Sequence, residues 1–165
     1  MAKTASVATR KMIEFLNGSD RGLNAAIQQA AMDSGMDLSG IPQVNVADQN
    51  VSVELSERSE TVKYPRIHVY ADRVKNLLTE KFRDFSGTVR VVAEVRVSQD
   101  RLEQIEDRLR LYTDSVTQVL DWHRGAWGEG TYFMGRYQVD IQAVKRGGLN
   151  FLQIATVTFE LDVSA

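Results

Sequence analysis

Two long runs of this chain alternate apolar and polar residues, and such alternation commits a segment to a sheet with one dry face and one wet face. From Thr88 to Val97, Val89, Val91, Ala93, Val95 and Val97 take one side and Arg90, Glu94 and Arg96 the other. From Asn150 to Val163, Phe151, Ala155, Val157, Phe159, Leu161 and Val163 oppose Thr156, Thr158, Glu160 and Asp162. A third alternation sets Tyr137, Val139, Ile141 and Ala143 against Gln138, Asp140 and Gln142. The Gly147-Gly148 pair that follows can take positive φ and close a turn. Together these predict a long C-terminal hairpin and therefore a mainly antiparallel sheet.

Helical spacing fills much of the remainder. Ala8 to Leu16 reads as a short helix after fraying residues 1–7, ended by Asn17-Gly18. A second helix runs to about Ser34, capped by Ser19 or Asp20 and stopped by Gly35. The longest predicted helix spans Ser98, as N-cap, to about Arg124. Leu102, Ile105, Leu109, Tyr112, Val116, Val119 and His123 form its single apolar stripe. Tyr64 to Tyr70 reads as a strand with Pro65 at its start and a free edge, and residues 71–86 as a helix or helical turn carrying Val74, Leu77, Leu78, Phe82 and Phe85. Residues 36–63 are irregular, an exposed loop or hairpin in which Val51, Val53 and Leu55 suggest one exposed strand. The expected fold class is α+β: a mainly antiparallel sheet with the long amphipathic helix and the short N-terminal helices packed on it, in one domain over residues 1–165.

Composition narrows the chemistry. With no cysteine there is no disulfide, thiolate metal site or cysteine nucleophile. A net charge of -2 does not suit a protein that grips DNA directly, which needs excess Lys and Arg. No apolar run is long enough for a signal peptide or a membrane helix, so a soluble protein without a membrane partner is expected. The two histidines, His68 and His123, lack metal-ligand spacing and read as structural. The carboxylates Glu103, Glu106 and Asp107 sit beside Arg108 and Arg110, the pattern of a solvated helix face and not of an acid–base pair. GAWGEG, residues 125–130, lacks the Lys-Ser/Thr of a phosphate loop and follows a helix. No catalytic residue, metal or cofactor is assigned, and an enzyme is not expected. The aromatic residues around this loop, Trp127 among them, suit either a core lid or an interface anchor. The residues assigned to interfaces are Glu54, Glu57 and Arg58 in the acidic segment, Trp127, and Lys145 and Arg146 at the hairpin tip.

The order of these segments resembles a known family. A strand beginning YPRIHVY is followed by a short helix, a Val-rich strand ending in Ser, a long helix ending near Trp-Gly, a Gly-Gly hairpin and a final ATVTFELDVS strand. Over roughly residues 60–165 this is similar to the tail terminator and head–tail joining (neck) proteins of tailed bacteriophages. The resemblance implies a virion protein, assembled in the cytoplasm of a bacterial host, that forms a homo-oligomeric, hexameric ring. Such a ring caps the tail tube, ends its elongation and joins it to the neck or head connector, while DNA passes through the lumen without sequence-specific binding. The longer 36–63 region departs from a small terminator. It leaves open a head-completion or neck protein of the same broad fold, beside a non-viral regulatory module that binds a small molecule.

Overall fold

The computed structural model describes residues 3–59 and 62–165, with residues 57–59 described by their backbone only. Helices α1 (Lys3–Leu16) and α2 (Leu23–Ser34) are followed by a single 3-10 turn (Gln43–Asn45), strand β1 (Val46–Asp48) and helix α3 (Val53–Ser59). Then come β2 (Arg66–Asn76), β3 (Ser86–Gln99), α4 (Ile105–Trp122), β4 (Gly125–Gly128), β5 (Thr131–Phe133), β6 (Tyr137–Ile141), β7 (Lys145–Gly147) and β8 (Asn150–Ser164). The sheet order is β1-β2-β3-β8-β5-β4, with β6 and β7 also paired to β8. Among the described strands only β1 lies parallel to its neighbour. The fold is α+β with a mostly antiparallel sheet, as the alternating runs require.

The register explains how the sheet's faces divide. Directly opposed residues share a face. Val91 opposes Phe159, Ala93 opposes Val157 and Val95 opposes Ala155 on the inner face, joined from β2 by Ile67 and Val69. Helix α4 lies over β3 and β8, and α1 over β1, β2 and β3, so this face is the core. Met12 and Leu16 of α1, Leu23 and Ile27 of α2, and Ile105, Leu109, Tyr112, Val116 and Val119 of α4 are buried against it. Among the described residues, the opposite, outer face is covered at one end, where Val53 of α3 packs on Leu152 and Ile154, with Tyr64 beside them.

Several segments differ from the expectation. Helix α1 begins at Lys3, so the residues from Lys3 to Val7 are helical and do not fray. Helix α2 ends at Gly35 in the left-handed conformation, as expected, but its N-cap is Gly22 and no side chain caps it. Val53 and Leu55 belong to α3, not to a strand, because Val53 is needed against the β8 residues Leu152 and Ile154. Residues 71–86 form no helix. β2 continues to Asn76 and pairs with β3 as far as Gly87, giving a projecting hairpin, here the arm. Ser98 does not start α4: β3 runs to Gln99 because Ser98 and Gln99 still oppose Leu152 and Phe151. Leu102 is consequently exposed, and Gln104 caps α4 at φ 63°. Gly125 opens the β4–β5 hairpin instead of capping α4. Ile67 to Val69 is no free edge, since β1 flanks it on one side and β3 on the other.

Candidate interaction surface

Two of the residues assigned to interfaces meet each other. Lys145 Nζ on β7 lies 3.6 Å from Glu54 Oε1 in the first turn of α3, so the acidic segment and the hairpin tip are tied within one chain. The Glu54 carboxyl is held below its usual range, first by a backbone hydrogen bond at its own position and then by Lys145. Arg146 is exposed on β7 near the tip residue Leu149, which is fully exposed. Glu57 and Arg58 fall on α3, and their side chains lie outside the described residues. Trp127 is not an exposed anchor. It is 4% accessible, its ring packs on Phe15, Phe133 and Phe159 at centroid distances of 4.8, 5.6 and 5.8 Å, and its Nε1–H donates to the His123 carbonyl at 2.6 Å. Of the two readings of the aromatic loop, the structure gives this ring to the core.

A buried polar cluster lies on the outer face beneath the chain that leads into α3. Arg96, expected on a wet face, is 2% accessible. Its Nε donates to Glu94 Oε1 at 2.9 Å and its Nη2 to the Val51 carbonyl. Glu94 also accepts from the Tyr70 hydroxyl at 3.3 Å, and Arg66 Nε donates to His68 Nε2 at 3.1 Å. The bond from Arg96 ties the chain at Val51 to the sheet and satisfies part of the guanidinium that is buried there. Burial, then the nearby Arg96 and Arg66, push the His68 imidazole down to about 4, and the Gln49 main chain offsets this only in part. Burial and then Glu94 push the Tyr70 phenol up to about 12.

The His68 shift has a definite sign. An unfolded histidine takes its proton near pH 6.5, whereas His68 in the native chain does so near pH 4. Between those values the unfolded chain binds the extra proton, so stability falls as pH drops through that window, by at most about 3 kcal/mol, and this group is silent above it. Denaturant unfolding at pH 7.5, 5.5 and 4.5 should show the loss, and His68→Gln should show less of it. Parallel curves for the two proteins would assign the acid sensitivity elsewhere.

Beyond α3 the outer face opens into a groove of about 600 Å3, bordered by β2, β3, β8 and β6. Across it Arg90 pairs with Asp72 through two bonds of 2.7 and 2.8 Å, which hold the Asp72 carboxyl below its usual range. The remaining charges of the groove are Asp140, Glu160 and Asp162 against Arg136. No group of three His, Asp or Glu side chains among the described residues could hold a metal ion. No described helix is long and apolar enough to cross a membrane.

At two opposite margins the helical layer stops short of the sheet. On β6, Tyr137, Val139 and Ile141 oppose Phe159, Val157 and Ala155, which places them on the inner face, yet all three are exposed. On the arm, Val74 opposes Val89 on the same face and is exposed, followed by exposed Leu77, Leu78 and Phe82. Sequence reasoning missed both strips: it gave Tyr137, Val139 and Ile141 to the hairpin's apolar side and the arm residues to a helical stripe. The signal available was the strong charge around the arm, with Arg73, Lys75, Lys81 and Arg83 in one short stretch. No family model matches the chain, and no curated protein is significantly similar to it.

Proposed function

We propose that this chain is a structural virion protein that assembles into a ring, caps the tail tube of a tailed phage and joins it to the neck, with no bond chemistry of its own. The observation that supports the reading is the pair of uncovered apolar strips at opposite margins of one sheet, on β6 and on the arm. Exposed apolar residues gathered along one strand suit a surface that a partner covers. Two different surfaces at opposite ends also suit a head-to-tail contact, which closes into a ring when the rotation between neighbours permits. The resemblance over residues 60–165 supports the same reading, with the arm standing where a short helix was expected. Recognition in such a ring is complementarity of surfaces, and DNA passes a lumen that repels it where carboxylates line it. The test is to add the purified protein to polymerising tail-tube protein, where it should arrest growth.

A further inference from the structure

Both uncovered strips are also strand edges. β6 has a strand partner, β8, on one side only among the described residues. β2 is flanked by β1 only from Ile67 to Val69, so beyond Val69 its outer edge carries no strand among the described residues. Main-chain N–H and C=O groups along such edges are templates for a further strand, and proteins that do not use them usually blunt them. Here neither edge is covered, and the residues 72–76 and 137–141 are exposed throughout.

The two edges match on both faces. On the inner face the arm presents Val74, and β6 presents Val139 between Tyr137 and Ile141. On the outer face the arm presents Arg73 and Lys75, which oppose Arg90 and Thr88. The outer face beside β6 presents Asp140, with Glu160 and Asp162 against the single Arg136 in the adjoining groove, a net negative charge. A strand added to β6 in continuation of the sheet must put apolar residues on one side and cations on the other. The outer edge of the arm is such a strand.

We infer that the occupant of the β6 edge is the arm of a second copy of this chain, β2 of one protomer adding beside β6 of the next. The sheet then continues from subunit to subunit. Because the arm and β6 lie at opposite margins, each protomer gives one edge and receives another, and the series grows head to tail. The inference rests on the ring reading and supplies its contact: Val74 lies against the β6 strip, and Arg73 and Lys75 face Asp140. Phe82, fully exposed at the arm's tip, extends the apolar side of the contact.

The absence of cysteine makes the test clean. Val74→Cys and Val139→Cys are made separately and together, each at an exposed side chain outside the core, and treated with a short bismaleimide, with tail-tube protein absent and present. The single variants mixed should give two-chain products, and the double variant a ladder of more than two chains. Light scattering on the untreated protein gives the particle mass in parallel. Multi-chain particles without a Val74–Val139 cross-link overturn the edge contact and leave the ring reading standing. A double variant that stops at two chains keeps the edge contact and overturns the ring. A single chain that never cross-links, with tubes or without, overturns both.

Discussion

Replacing Trp127 by alanine is expected to lower the stability of the chain by about 3–5 kcal/mol, the range for a large aromatic side chain removed from a packed core. The ring sits where three separate parts of the chain meet: Phe15 of α1, Phe133 of β5 and Phe159 of β8. Phe15 in turn stacks on His123 at 4.1 Å, so the cavity would loosen the contact of α1 with the end of α4. The indole also donates to the His123 carbonyl, which would lose that partner in a half-buried place. In a chain of 165 residues the loss corresponds to roughly 6–20 °C in Tm. Trp127→Phe separates the two contributions, because it keeps most of the ring contacts and removes only the donor; a smaller loss of about 1–2 kcal/mol is expected. Calorimetry or denaturant unfolding of the three proteins measures both. A loss under 1 kcal/mol for the alanine variant would mean that the ring is not packed, and would return Trp127 to the interface.

Arg96→Ala is expected to be comparably damaging, at about 3–5 kcal/mol, for an electrostatic reason. Removing one member of a buried pair leaves the other charge without its partner in a poor solvent for it. Among the described residues Glu94 would retain the Tyr70 hydroxyl alone as a side-chain hydrogen-bond partner, and the Val51 carbonyl would lose the guanidinium. The damage should therefore spread to the helix that follows Val51. Amide exchange of α3 should quicken more than that of β3, whose ladder to β8 is untouched. An Arg96→Met, Glu94→Leu double variant should recover much of the stability, since a buried pair often does no better than apolar residues of like volume. Unfolding of the single and double variants decides it; an alanine variant within 1 kcal/mol of the parent would show that the cluster holds nothing in place.

Legibility in the sequence followed the contrast between dry and wet faces. β3 and β8 could be read directly, because Val89 to Val97 and Ala155 to Val163 bury one face along their length. The buried stripes of α2 and α4 could be read for the same reason. The arm could not. Val74, Leu77, Leu78 and Phe82 are spaced like a helical stripe, and spacing alone does not distinguish buried apolar residues from exposed ones. What decides the arm's conformation is its pairing with β3, a tertiary effect that local pattern does not contain. The start of α4 failed similarly: Ser98 is a good cap by type, but its hydroxyl donates to the Phe151 carbonyl across the sheet. Arg96 was placed on a wet face because its alternation is correct; the outer face is dry there only because the chain around Val51 crosses it. Glu54 and Lys145 are assigned to interfaces from the sequence, and their pairing with each other is visible only in the fold.

The most direct measurement of the central proposal is the length of tail tubes grown with rising amounts of this protein, followed by electron microscopy. The tubes should shorten as the ratio of this protein to tube protein increases, each with a ring at one end only. Tubes of unchanged length with bare ends, at every ratio, would contradict it.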